Sequence, residues 1–208
     1  MMKLYYHPAS SPSRTARMTA ALLGLELELE LVDLFGGANR TREYLALNPN
    51  GLVPTLVDDG FVLWESNAIA QYLASKRATP ELFPDDPQLR ADVTRWQCWE
   101  LEHWKRATQA IAFERVFKRL KGLAPDPAAL ERGTAEFHRF AAVLDGQLAR
   151  RDHLVGERLT LADVAVASGL TYATVAAFPL DGYPHLQRWA ASIARLDAWQ
   201  RTAPPDFS

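Results

Sequence analysis

Cysteine is almost absent from this chain. Cys98 is the only one in 208 residues, which excludes an internal disulfide and any multi-cysteine metal site. It falls between Trp96 and Trp99 in a helical pattern, where a small buried apolar residue is expected. Long apolar runs are missing too: nothing approaches the roughly 18 residues a membrane helix needs. Met1 to Tyr6 lead straight into His7 and Pro8 with no leader pattern, so a cytoplasmic location is expected. Nor is there an excess of one charge. A net charge of -2 and a pI near 6.2 supply no basic field for nucleic acid or an anionic membrane, and neither partner is expected. What remains, 48% hydrophobic and 23% charged residues, is enough for one full core or two small domains.

The most structured information lies in Asn48 to Leu73. Asn48, Pro49, Asn50 and Gly51 are four turn formers in a row, so the chain reverses there. Leu52 and Val53 lead into Pro54 and a short strand, Thr55 to Val57. Asp58, Asp59 and Gly60 turn the chain into a second strand, Phe61 to Trp64. A proline at a strand entrance donates nothing to a ladder, which leaves the Val53 backbone open to pair with another extended peptide. A helix then runs from Asn67 to Lys76, with apolar positions at Ala68, Ile69, Tyr72 and Leu73 and Ser66 at the N-cap. A helix start with free N–H groups favours a carboxylate, and an adjacent acid can hold an ammonium group. Glu65 and Ser66 therefore suit an α-amino acid head group. They equally suit a plain cap with a carboxylate complementing the dipole.

Lys3 to Tyr6 reads as a strand. Thr15 to Leu23 reads as a helix closed by Gly24, with Pro12 at its first position and Ser11 as N-cap. Ser10 is then left without a structural task just ahead of a helix N-terminus. There the dipole and a hydroxyl donor lower the pKa of a neighbouring thiol. Leu25, Leu27, Leu29 and Leu31 alternate with Glu26, Glu28 and Glu30, the period of a half-buried strand. Leu34 to Thr41 is a loop and Arg42 to Leu47 a short helix. The order strand, helix, strand, helix, hairpin, helix implies a small mixed sheet covered by helices over residues 1–78. Pro80, Pro84, Asp85, Asp86 and Pro87 break the periodicity, so 79–87 reads as a linker. Residues 88–208 carry helical patterns throughout: Leu89 to Gly122, Asp126 to Arg151, and an apolar helix from Leu161 to Ala177. Thr160 and Asp163 have the form of a capping box. Trp96, Trp99, His103, Arg106 and Ala110 share one helix face, which serves packing or walls a pocket.

The residues Asn48, Pro49, Gly51, Val53, Pro54, Glu65, Ser66, Ala68 and Ile69 resemble the glutathione transferases. His7-Pro8-Ala9-Ser10 followed by Arg14 is similar to the loop of the serine-type theta, delta and phi classes, in a bacterial-type chain. The resemblance implies a thioredoxin-like α/β domain with a mixed four-stranded sheet, followed by an all-α helical bundle. It implies a cis-proline at Pro54 and glutathione as co-substrate, with no metal. It also implies a homodimer and a detoxifying transfer of the thiol to an apolar electrophile. Ser10 would stabilise the thiolate, and Leu52, Val53 and Pro54 would receive the cysteinyl part. Glu65 and Ser66 would hold the γ-glutamyl end, with Asn39 and Arg40 in the loop that meets the glycine carboxylate. Trp99, His103 and Arg106 would face the electrophile. The same fold also implies two other roles: a non-catalytic assembly module, and a dedicated glutathione-dependent dehalogenase, isomerase or peroxidase.

Overall fold

The computed structural model describes residues 1–77 and 82–207, and its chain divides into two compact units. The first takes in Met1–Phe83 and Asp197–Pro205. Its elements are β1 (Lys3–Tyr6), α1 (Ser11–Leu22), β2 (Glu28–Leu31), a 3-10 turn (Ala38–Arg40), α2 (Arg42–Leu47), β3 (Thr55–Asp58), β4 (Phe61–Trp64) and α3 (Ser66–Ser75). The four strands order as β2-β1-β3-β4, with β1 parallel to β2 and the other pairs antiparallel. A mixed sheet of this kind, with helices, is what the sequence implies.

Alternation along β1 explains why helices are needed on both sides. Leu4 points to one face, where it meets Leu56 of β3, Ala16 and Ala20 of α1, and Ile69 and Leu73 of α3. Tyr5 points to the other and packs with Val32, Tyr44 and Val53. The Asp59-Gly60 hairpin has both central residues at positive φ, 48° and 86°, as a type I′ turn requires. Asp58 accepts from Tyr72 Oη and Lys76 Nζ, both at 2.7 Å, which ties this hairpin to α3.

The Leu25 to Leu31 strand differs from its expected form. Only Glu28–Leu31 is strand, and all four residues are exposed, Leu29 at 46% and Leu31 at 58%. The reason is position: β2 is an edge, while α1 and α3 cover β1 and β3. Leu25 and Leu27 still pack against the central cluster, from outside the ladder.

The second unit takes in Pro84–Leu196 with Asp206 and Phe207. It holds α4 (Pro87–Trp99), a π-helical turn (Glu100–Trp104), α5 (Lys105–Ala112), a second π turn (Phe113–Phe117), α6 (Lys118–Leu120), α7 (Pro127–Leu148), α8 (Leu161–Ser168) and α9 (Pro184–Ala194). Of the linker residues, Pro80 lies outside the described residues and Pro87 is already helical. Asp86 caps that helix, accepting from Gln88 N and Leu89 N at 3.0 and 2.9 Å. The last helix, α10 (Asp197–Arg201), belongs to the first unit and not to the 88–208 domain expected for it, because it packs on α1. Among the described residues no helix is long and apolar enough to cross a membrane. Cys98 is exposed, contrary to expectation, while its neighbours Trp96 and Gln97 turn inward.

All residues of α8 are buried, as its apolar sequence demands, yet it stops at Ser168 instead of Ala177. Trp104 Nε1 donates to the Val166 carbonyl at 3.0 Å and so occupies an acceptor that the next helical turn would use. The chain tightens at that point, with Gly169 N bonding back to Val166 O at 3.1 Å. Gly169 is required there: a Cβ would lie 2.5 Å from Trp104 Nε1.

Asp163 anchors the start of the same helix. Fully buried, it accepts from Leu154 N and Thr160 N at 2.9 Å and from Trp189 Nε1 at 3.0 Å, while Thr160 Oγ1 completes the capping box. Burial pushes its carboxyl upward and the donors oppose this. Asp163→Ala would strand three buried donors. Urea unfolding is expected to show a loss of about 3 kcal/mol, with an unchanged outcome counting against this role.

Candidate active site

Two turns and two helix starts of the first unit carry the residues singled out in the sequence. After β1 the chain folds over itself at His7: Ser10 N donates to His7 O at 3.0 Å, and Ala9 N donates to His7 Nδ1 at 3.1 Å. The imidazole stands edge-on to Phe35 with centroids 5.4 Å apart. Its Nδ1 is thus occupied as an acceptor, which suits a loop fastener and not a general base. Burial holds His7 below the ordinary histidine value, with the Asp33 carboxylate pulling the other way.

Ser10, not Ser11, caps α1. Its backbone is extended (φ −94°, ψ 114°), its Oγ accepts from Ser13 N at 3.2 Å, and its carbonyl accepts the first helical bond from Arg14 N at 2.9 Å. Ser11 and Pro12 lie inside the helix, one position later than the sequence suggests. The capping bond has a chemical consequence, because a hydroxyl has two acceptor sites and one proton. One acceptor site is used by the cap, which fixes Oγ at the helix N-terminus. Its proton has no acceptor among the described residues, so it is free to point at a ligand.

The Asn48 to Pro54 turn is held by side chains. Tyr44 Oη and Asn48 Nδ2 both donate to the Leu52 carbonyl, at 2.6 and 2.8 Å, and Asn39 Nδ2 donates to the Gly51 carbonyl at 2.7 Å. Gly51 has φ 61°, and a Cβ there would sit 2.9 Å from Asn39 O, so both conformation and space demand glycine. The Val53–Pro54 bond is cis. Val53 itself precedes the ladder, whose first rungs are Tyr5↔Thr55 and Thr55↔Trp64. Its N–H and C=O make no hydrogen bond among the described residues. The Gly51 and Leu52 carbonyls are thus consumed, and the Val53 backbone is left to pair with something else.

Glu65 takes the N-cap position of α3, and Ser66 becomes its first helical residue. The sequence placed the cap one residue later. Glu65 is exposed and has φ 74°, a region that costs a non-glycine residue about 1–3 kcal/mol and recurs at binding sites. Its carboxylate makes no ion pair among the described residues. Ser66 is 5% exposed and its hydroxyl has no partner among them, while its N–H is one of the unpaired donors of the first helical turn. A free acid beside free donors is the pattern that holds a zwitterionic head group. Arg40 is exposed, whereas the Asn39 amide nitrogen is spent on Gly51.

The helical unit separates the remaining three. Trp99 and His103 pack on Phe140, with ring centroids 5.8 and 5.0 Å away. His103 and Arg106 line a cavity of about 430 Å³, but Trp99 does not. That cavity is rimmed by Glu102, Arg132, Glu136 and Arg139, and Arg106 is paired to Glu102 at 2.8 Å. Such a rim suits a polar occupant better than an apolar one. A second aromatic group gathers Phe117 on the second π turn, Tyr172 at 5.2 Å and Phe207 a further 6.0 Å on. Phe113, on the same turn, is 46% exposed. The sequence pattern reaches the two phenylalanines through their four-residue spacing but not Tyr172, which falls in the stretch expected to be an apolar core helix.

A mixed four-stranded sheet flanked by helices, with a cis-proline turn ahead of β3 and helix starts at Ser10 and Glu65, defines a thioredoxin-like domain. The chain matches the family models "Glutathione S-transferase, N-terminal domain" over residues 9–76 and "Glutathione S-transferase, C-terminal domain" over residues 127–192. Glutathione S-transferase D7 of Drosophila melanogaster is 32% identical over 203 residues, covering 96% of this chain and 88% of that one. The glutathione-bound theta-class enzyme of Xanthomonas axonopodis pv. citri superposes with a TM-score of 0.90 at 31% identity, covering 100% and 99% of the two chains. A delta-class transferase of Nilaparvata lugens follows with 0.84, 30%, 98% and 95%. The chain belongs to the glutathione S-transferases and is an enzyme of that family.

A pH test follows from His7. Because its folded pKa is depressed, the neutral ring is favoured in the fold. Its contribution to stability is present above the ordinary histidine pKa of about 6.5 and is lost as pH falls through the lower folded value. Thermal melting should show the wild type losing ground to His7→Asn between about pH 7 and pH 5. A gap that stays constant over that range would remove His7 from this role.

Proposed function

We propose that the enzyme joins the glutathione thiol to an apolar electrophile, with Ser10 stabilising the thiolate. The observation that carries this reading is the unpaired backbone of Val53 beside cis Pro54, a one-residue strand edge that matches the cysteinyl residue of glutathione. Paired there, the cysteinyl N–H and C=O bond to Val53 C=O and N–H, with Leu52 and Pro54 on either side. Glu65 takes the α-ammonium group of the γ-glutamyl end. The Ser66 N–H and hydroxyl take its α-carboxylate. Arg40 faces the glycine carboxylate, and Asn39 supports it by holding the Gly51 turn.

The chemistry needs no metal. The thiol releases its proton to solvent, and the Ser10 hydroxyl donates to the resulting sulfur anion at the positive end of α1. The thiolate attacks the electrophilic carbon, a C–S bond forms, and the bond to the leaving group breaks with its electron pair. On the helical unit, the rings of Trp99 and His103 with the Arg106 side chain are the candidate electrophile contacts, and exposed Phe113 offers a further apolar surface. The apolar edge of β4, with Phe61, Val62 and Trp64 exposed, supports assembly as a homodimer. The reading also includes a cytoplasmic, detoxifying role.

Removing a hydrogen bond to a charged sulfur costs about 1.5–3 kcal/mol, so Ser10→Ala should lower kcat/KM toward an activated aryl halide about 10- to 100-fold. Wild-type turnover in that variant would exclude Ser10. In calorimetry, Glu65→Ala should weaken glutathione binding about tenfold or more, and unaltered affinity would remove the head-group assignment.

A further inference from the structure

Arg14 has no part in the chemistry above, although it stands one helical turn beyond Ser10. Its backbone N–H makes the bond to the Ser10 carbonyl that opens α1, at 2.9 Å. Its side chain is buried, at 3% exposure, and turns away from the ligand-binding groups toward α10. Nη2 donates to the Trp199 carbonyl at 2.7 Å, and the guanidinium carbon lies 3.3 Å from the centroid of the Trp199 ring. One planar group is therefore gripped twice by the same residue, by a hydrogen bond at its edge and by the indole on its face. The partner lies 185 residues away in sequence. A second tie runs beside it: Arg17 Nη1 reaches the Thr202 carbonyl at 3.5 Å, and buried Thr202 closes α10 through Oγ1 to Ala198 O at 2.7 Å.

We propose that Arg14, clamped by Trp199, is a positioning residue for Ser10, so that the C-terminal helix α10 sets how effectively the enzyme activates the glutathione thiol. This rests on the reading of Ser10 as the thiolate donor. The place of Ser10 Oγ is held by the capping bond from Ser13 N and the backbone bond from Arg14, both within the first turn of α1, and by the Ser10 N bond to His7 O. The Trp199 grip fastens the Arg14 side of that turn to α10. When the grip is lost the turn gains freedom, and the hydroxyl spends less time aligned with sulfur. The groups that bind the peptide, Val53, Glu65 and Ser66, lie on other elements. The defect should therefore appear in thiol activation and not in glutathione binding.

The test compares the pH profile of kcat/KM for glutathione with an aryl halide in wild type, Trp199→Ala, Trp199→Phe, Ser10→Ala and the double variant of Trp199→Ala with Ser10→Ala. Trp199→Ala should move the rising limb up by about 1 pH unit, costing about tenfold at neutral pH and converging on wild type at alkaline pH. Its KM for glutathione should stay at the wild-type value. Trp199→Phe keeps a ring under the guanidinium and should restore most of the rate. In the Ser10→Ala background the Trp199→Ala effect should vanish, as expected for groups acting through one hydroxyl. If Trp199→Ala fails to fold, Arg14→Lys, which keeps the charge but not the planar stack, should move the same limb in the same direction. An unmoved limb in these variants, with Ser10→Ala impaired, overturns the clamp alone. A Ser10→Ala profile identical to wild type overturns the reading of Ser10 and the clamp with it. Full additivity in the double variant also overturns it.

Discussion

The three hydrogen bonds that consume the Gly51 and Leu52 carbonyls are the constraint on which the site depends. Without them, the Asn48 to Pro54 turn would offer two further acceptors to a bound peptide, and its register would be undetermined. With Asn39, Tyr44 and Asn48 donating inward, at 2.6 to 2.8 Å, those two carbonyls are spent, while the polar backbone groups of Val53 have no partner among the described residues. Tyr44 and Asn48 also reach Thr55 Oγ1, both at 3.1 Å, which joins the turn to the first residue of β3. The turn is thus an extension of the sheet: Val53 sits one proline ahead of the strand that pairs with β1 and β4.

The two helix starts work by a related logic. Each has a cap that commits part of its polar capacity and leaves the remainder facing outward. At α1, Ser10 gives an acceptor site to Ser13 N and keeps its proton. At α3, the cap residue Glu65 makes no side-chain capping bond among the described residues, and its φ is 74°. A side-chain cap at α3 like that of Ser10 at α1 would have been more economical for folding.

Much of this was readable from residue order because it is local. The turn run at Asn48 to Gly51, the Asp59-Gly60 hairpin, and the Thr160 and Asp163 capping box are all decided by neighbours within a few positions. The cap of α1 was misplaced by one because Ser10, Ser11 and Ser13 surround Pro12, and each serine satisfies the same local rule. The decision came from a hydrogen bond, Ser13 N to Ser10 Oγ, that no pattern distinguishes in advance. Other features were out of reach since their causes are distant. The end of α8 is set by Trp104, 62 residues earlier, and the place of α10 by Arg14 and Arg17. The exposure of β2 follows from its rank in the sheet, and alternation of leucine and glutamate says nothing of rank.

The central claim is that glutathione lies as an added strand residue on Val53, with its sulfur at Ser10. A crystal structure of the enzyme with glutathione tests it most directly. The account predicts paired hydrogen bonds between the cysteinyl backbone and both polar groups of Val53, and the sulfur within hydrogen-bond reach of Ser10 Oγ, about 3.0–3.5 Å given the size of sulfur. A sulfur seated on Ser11 or Ser13, or a Val53 backbone left unpaired beside the bound tripeptide, would contradict it.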